Sequence, residues 1–512
     1  MSSTNYKRNY LKIYFWRAIS LVSGFLSLLI VVPHLSNNQE LYGIYAFCIS
    51  FTLYLTYSDI GFLGAGQKYA AEEFARGNRK KEVEIFGFTG MILLIMILPF
   101  SIAMIYFSFY PGKVLNNLTI EGQKVAGNIF LILGVLSPFQ IILQRLTQSI
   151  LLIRIKDFVS LKIDVIFNLI KIMSVFFFFS KGKYQVVEYF LFINLLTIIS
   201  SLTTIFIIRK TENYNFIALI KSIKFSKEYY HLTKKLAFSS LFLTIGWLIY
   251  YELDVIIIGK WFGPHEVAIY VIGFTFLNFL RTLWNSVFAP YSQRFNHFSG
   301  TNSWEEMKNM ASKIMDYTLP LCVVVTIILV LSAKQIVLFW VGPAYTESIK
   351  ILQILIIGTS FGFVVQPASY YFIAKTKYLF INLFAFMLPL TFCLCLLFLE
   401  PKMGIEGFAI AKTVALIIGS IISIIGISEL INPFRIIGKW AIPMLIFLVL
   451  SILIQPKILS IVFPVLGKST LKLALLFSLS GGIIIFSLAI ILYSQKRFRT
   501  EIKTLITQKL HL

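Results

Sequence analysis

Acidic side chains are scarce in this 512-residue chain: Asp and Glu total 23, and charged residues of both signs make up only 13%. A soluble domain carries about 25% charge, so an ordinary soluble enzyme is excluded. Cysteine is scarcer still. Cys48, Cys322, Cys393 and Cys395 all fall in apolar runs and read as small core residues, implying neither a disulfide framework nor a thiolate metal site. The five histidines, His34, His231, His265, His297 and His511, are scattered singly, without metal-site spacing. A phosphate-binding loop is missing too: Gly467-Lys-Ser-Thr470 echoes the end of one, but the glycine required five positions earlier is Val462. The polar segments are short and hold no paired carboxylates and no nucleophile beside a base. No enzymatic activity and no cofactor are therefore expected.

What abounds is apolar. Hydrophobic residues make up 58% of the chain, 49 residues are Phe, and the mean hydropathy is +0.82. Runs of about 17 to 25 apolar residues are long enough to cross about 30 Å of hydrocarbon as helices. They lie near 13–33, 42–62, 86–109, 126–144, 158–179, 186–208, 236–258, 267–290, 317–340, 349–373, 378–399, 404–428, 439–455 and 471–493. This predicts an all-α polytopic membrane protein of about 14 transmembrane helices. An even number puts both termini on one side, where alternate loops collect 30 of the 46 Lys and Arg. Both termini are expected to be cytoplasmic. The net charge of +23 then reads as topology and affinity for anionic lipid, with no nucleic acid as partner. Lys7, Arg8 and Lys12 precede the first run, but Val32-Pro-His-Leu35 offers no small-residue cleavage site, so an uncleaved first helix is expected. Asn117-Leu-Thr119 is a glycosylation sequon on the outer side, of consequence only in a eukaryotic secretory context.

The halves echo one another at an offset near 224. Gly43-Ile44-Tyr45 falls on Ala268-Ile269-Tyr270, Phe74 and Asn78 on Phe298 and Asn302, and Ile132-Leu133-Gly134 on Ile356-Ile357-Gly358. Six spans restore the same orientation, so the pattern predicts a parallel repeat of two six-helix lobes plus two C-terminal helices. The expected domains are an N-terminal lobe over 1–208, a basic linker over 209–235, a C-terminal lobe over 236–430, two helices over 431–494 and a basic tail over 495–512. Lys221 to Lys235 presents basic and apolar faces and is expected along the cytoplasmic surface.

Several of these residues carry a family resemblance. Pro33-His-Leu-Ser-Asn-Asn-Gln-Glu-Leu-Tyr-Gly-Ile-Tyr-Ala-Phe47, with Ser58-Asp59-Ile-Gly-Phe62, resembles the opening of the Wzx-type polysaccharide-unit flippases. Leu253-Asp254-Val-Ile-Ile-Ile-Gly-Lys-Trp-Phe-Gly263, Phe339-Trp-Val-Gly-Pro-Ala-Tyr345 and Gly404-Ile-Glu-Gly-Phe-Ala-Ile-Ala411 are similar in the same way, and the likeness covers most of the first 430 residues. That family belongs to the multidrug/oligosaccharidyl-lipid/polysaccharide exporter superfamily. The resemblance implies a V-shaped, two-lobed transporter in the bacterial cytoplasmic (inner) membrane. It would move an undecaprenyl-diphosphate-linked oligosaccharide to the periplasmic leaflet for O-antigen, capsule or lipopolysaccharide synthesis. It also implies polysaccharide polymerase and chain-length proteins as partners. A monomer is favoured.

Ionisable groups inside membrane helices are costly and mark pathways or pairs. The deep polar positions are Arg17, Asp59, Asp164, Asn168, Lys171, Asp254, Asn278, Arg281, Asn285 and Lys412. A cavity holding Arg17, Lys171, Arg281 and Lys412 would be net positive, as a diphosphate requires, and guanidinium binds phosphate oxygens in bidentate fashion. The Asn, Ser and Thr residues on these faces, with Trp247 and Tyr251, suit sugars. Asp59, Asp164 and Asp254 would pair with the cations in one state and release them in another. A structural reading stands beside this one: Asp164 with Lys171 is also an internal pair, Asp254 a helix-end cap, Arg17 a topology charge, and Lys162 and Lys412 are long enough to snorkel. The alternatives are a cation-coupled multidrug antiporter and a lipid II flippase. Coupling to an H+ or Na+ gradient, or to the membrane potential acting on an anionic substrate, fits the missing nucleotide motif.

Overall fold

The computed structural model describes residues 3–56, 61–180, 182–462 and 468–493. Among them every regular element is helical. In chain order these are α1 (Ser3–Leu35), α2 (Gln39–Thr56), α3 (Phe62–Ala75), α4 (Arg79–Phe109), α5 (Ile120–Leu152), α6 (Phe158–Phe178), α7 (Val186–Glu212), α8 (Phe216–Lys221) and α9 (Lys227–Trp261). They continue with α10 (Pro264–Gly300), α11 (Trp304–Trp340), α12 (Ser348–Thr359), α13 (Gly362–Ala374), α14 (Tyr378–Met403), α15 (Ile405–Ile427), α16 (Pro433–Val462) and α17 (Thr470–Tyr493).

Among the described residues ten helices are long and apolar enough to cross a bilayer, and α12 with α13, bent by 45°, makes an eleventh if the pair is one span. The protein is thus a multi-pass membrane protein. The fourteen expected runs exceed that number where charge or the described range intervenes. α6 carries Lys162, Asp164 and Lys171 within 21 residues, too many for a helix facing lipid all round. The run over 42–62 includes residues 57–60, which lie outside the described residues, and α9 carries Glu252 and Asp254.

Helix starts follow local chemistry. Asn78 accepts from the Lys81 amide to open α4, Thr119 from Gly122 to open α5, and Ser226 from Tyr229 to open α9. Pro99, Pro138 and Pro320 sit inside α4, α5 and α11, where membrane helices tolerate them because neighbouring groups satisfy the freed carbonyls.

Two compact units divide the chain, Met1–Val271 and Ile272–Leu512. α9 lies within the first unit, packed along α2 and α3. The first unit packs α4 on α5 around a core holding Phe62, Phe86, Phe88, Leu146, Ile150 and Tyr229, and it packs α1 on α6. Gly43, in the family-like stretch, owes its identity to a close approach: a Cβ there would lie 1.7 Å from the Pro264 carbonyl oxygen. The second unit packs α14 on α15 and α11 on α12, α16 and α17. Asp59, the tail over 495–512, His511 and Gly467 lie outside the described residues, as do the side chains of Thr56 and Ser240.

Candidate functional site

In the first unit polar side chains converge along the seam of α1, α6 and α7. Ser160, Asp164, Asn168 and Lys171 recur at intervals of three and four along α6 and share one face. Asn168 Nδ2 donates to Ser23 Oγ at 2.7 Å and to the Ser23 carbonyl at 3.2 Å. Ser200 Oγ donates to Asp164 Oδ1 at 3.1 Å, and Lys171 Nζ donates to Thr197 Oγ1 at 2.6 Å. Asp164 and Lys171 lie within electrostatic reach of one another, yet each anchors on a hydroxyl of α7. Arg17 Nη2 meets Asp157 Oδ2 at 3.3 Å where α6 begins. From Asp157 to Lys171 the track runs about 21 Å along the helix, most of the hydrocarbon depth.

The α7 partners and Asp157 escaped the sequence reading. For α7 the signal was there: Asn194, Thr197, Ser200, Ser201 and Thr204 put a polar stripe on it at helical spacing.

In the second unit Asn278, Arg281 and Asn285 share one face of α10. Gln366 Nε2 of α13 donates to Asn285 Oδ1 at 3.0 Å. Asn278 Oδ1 is buried without a hydrogen-bond partner, and so is Trp284 Nε1 one turn from Arg281. An unmade hydrogen bond of this kind costs about 1 to 3 kcal/mol.

Other predicted positions are enclosed. Lys412 is buried with Nζ 4.3 Å from the centre of the Phe274 ring and 5.9 Å from that of Phe392, a cation–π setting. Asp254 is buried, accepting from Tyr270 Oη at 2.5 Å and from the Val255 amide at 3.0 Å, which ties the end of α9 to the start of α10. Trp247 and Tyr251 stack in parallel one turn apart, ring centres 4.9 Å from one another.

Between α16 and α17 lies a mostly apolar groove of about 530 Å³, lined by Ile446, Leu450, Ile454, Leu476, Leu479 and Ile483 among others, with Ser451, Gln455, Ser480 and Ser487 its polar groups. Gln455 Nε2 donates to Ser332 Oγ at 2.7 Å and to the Ile328 carbonyl, which ties α16 to α11.

Two ion clusters sit at helix corners. In the first unit the Arg154 guanidinium, after α5, meets Glu82 of α4 at 2.5 Å with both side chains fully buried. It lies 4.7 Å from the Phe74 ring centre and 5.1 Å from that of Tyr214. Lys156 pairs with Glu212 of α7 at 2.6 Å. In the second unit Lys377, after α13, pairs with Glu429 at 2.6 Å, and Lys375 lies 5.5 Å from the Trp304 ring centre. The Lys377 ammonium, followed by the Tyr371 hydroxyl, holds the Glu429 carboxyl below its ordinary range. At the α9 start, burial and the Tyr229 hydrogen bond to Glu84 push that phenol up.

No family model matches the chain, and no curated protein does either. Solved structures do. The lipid II flippase MurJ in an inward closed conformation is 15% identical with a TM-score of 0.68, and the match covers 95% of this chain and 98% of that one. An inward-facing multidrug resistance MATE family transporter of the MOP superfamily is 13% identical with a TM-score of 0.59, covering 81% of this chain and 95% of that one. A MOP superfamily transporter from Pyrococcus furiosus, whose binding pocket of reverse polarity suggests a different function, is 14% identical with a TM-score of 0.57, covering 83% and 96%. The chain has the fold of MOP superfamily transporters.

Proposed function

We propose that this chain is a flippase that carries an undecaprenyl-diphosphate-linked oligosaccharide repeat unit from the cytoplasmic to the outer leaflet of the bacterial inner membrane by alternating access. The product would feed surface polysaccharide synthesis. The observation that carries the reading is the α10 face: Arg281 flanked by Asn278, whose buried Oδ1 has no partner, and by Asn285. A guanidinium beside amide edges suits a diphosphate joined to sugar, because the charge is met by a bidentate donor and the hydroxyls by amides. The groove between α16 and α17 suits a polyprenyl tail, being lined mostly by apolar side chains.

Lipid II transport is the second reading, favoured by the 95% coverage against MurJ, while the MATE match covers 81%. Thermal stabilisation of the purified protein separates the readings, since a ligand stabilises only the folded state that binds it. The lipid-linked oligosaccharide, lipid II, the neutral lipid alcohol and a cationic dye are compared in the wild type and in Arg281→Ala. Stabilisation by the oligosaccharide alone, lost in Arg281→Ala, supports the proposal. Stabilisation by lipid II alone selects the second reading, and stabilisation by the dye overturns both in favour of a drug antiporter.

A further inference from the structure

We propose that the short segment joining α7 to α9 is a binding surface for anionic lipid headgroups, held in place from behind by a glycine of α4. Residues 213–227 carry three lysines and no acidic group. Within them Ile217, Ile220 and Lys221 share one face of α8, at intervals of three and one, and Lys224 follows in the exposed turn after the helix. Ile217 and Ile220 are 65% and 67% exposed, and Phe225 beyond the helix is 50% exposed. The opposite side is fixed. Leu219 is buried in the core of the first unit, and a Cβ at Gly87 would lie 2.3 Å from the Ser222 carbonyl oxygen. The segment thus rests its backbone on α4 and turns large apolar side chains and ammonium groups outward.

Its place in the chain decides what covers that face. α7 is a membrane span that ends at Glu212, and α9 begins at Lys227, so the segment lies at a bilayer boundary. Isoleucines beside lysines there match a leaflet surface: the apolar groups enter the acyl boundary and the ammonium groups remain among headgroup phosphates. Each lysine near an anionic surface strengthens such seating about fivefold. Neutral lipid supplies the apolar boundary without that gain, so lipid charge sets how firmly the segment is seated. This inference stands apart from the choice of transported substrate.

The test uses the full chain carrying a nitroxide on Ile220→Cys, with Cys393→Ser and Cys395→Ser. It is reconstituted in vesicles of phosphatidylcholine alone or mixed with phosphatidylglycerol. Collision with oxygen, which concentrates in acyl chains, is compared with collision with a water-soluble nickel chelate. The expected result is a label shielded from nickel in the mixed vesicles, more accessible in neutral ones, and released in the mixed ones by Lys221→Gln with Lys224→Gln. Both lysines are exposed, and an unchanged melting temperature of the double variant verifies that it is folded. Equal nickel access in the two lipid mixtures overturns the proposal. Dipolar broadening between labels also overturns it, because a second copy would then cover the face.

Discussion

The two helix corners are built on one plan and finished differently. In each, a lysine just past a helix end pairs at 2.6 Å with a glutamate at or just past the end of a later helix: Lys156 with Glu212, and Lys377 with Glu429. In each, a further cation two residues earlier lies against an aromatic ring: Arg154 against Phe74 and Tyr214, and Lys375 against Trp304. The first corner has a dry centre, Arg154 and Glu82 being fully buried while Lys156 is 29% exposed, whereas Lys377 and Glu429 remain 37% and 47% exposed. Arginine in the dry corner is a physical requirement. Its planar fork reaches Glu82 and the Ile150 carbonyl while its faces contact two rings, which a compact ammonium cannot do. The wet corner takes lysine because water satisfies whatever the protein leaves. One corner therefore clamps α4, α5 and α7 rigidly, and the other only loosely ties α13 to α15.

Arg154→Ala sharpens this contrast most. It leaves the buried Glu82 carboxylate with Arg79, 3.1 Å away and 54% exposed, as its counter-charge, so a loss of about 3 kcal/mol, the low end for a broken buried pair, is expected, read as a large fall in melting temperature in detergent. Arg154→Lys keeps the charge but loses the fork and much of the ring contact; about 2 kcal/mol is expected by the same measurement. Lys377→Ala should cost less than about 1 kcal/mol, because an exposed pair is screened by water and salt. Equal losses for Arg154→Ala and Lys377→Ala would break the comparison.

The pH dependence of the wet corner follows from sign. Lys377 depresses the Glu429 carboxyl, so its contribution is present above the unfolded value and lost as pH falls through the folded one. The melting temperature of Lys377→Ala should therefore converge on that of the wild type under acid conditions, by a small amount. A gap that widens on acidification would contradict the pairing.

Much of the architecture was legible in sequence, because membrane helices declare themselves by length and apolarity. The α6 face was legible for the same reason: Ser160, Asp164, Asn168 and Lys171 keep helical period, and the structure turns them to α1 and α7. The buried clamp was not. Arg154 and Glu82 are separated by 72 residues, and an arginine between two apolar runs looks like a topology charge until its partner is seen. Period places a residue on a face and is silent about what the face meets. Thus Lys412 lies against aromatic rings, and Asp254 is locked to Tyr270.

Transport itself gives the most direct test. In proteoliposomes loaded with a fluorescent undecaprenyl-diphosphate oligosaccharide, a membrane-impermeant quencher reads how fast label reaches the exposed leaflet. Wild-type protein should accelerate that exchange, and Arg281→Ala should slow it by about tenfold to a hundredfold, the loss expected of a charge-assisted hydrogen bond. Exchange no faster than in protein-free vesicles, or unchanged by Arg281→Ala, would contradict the account.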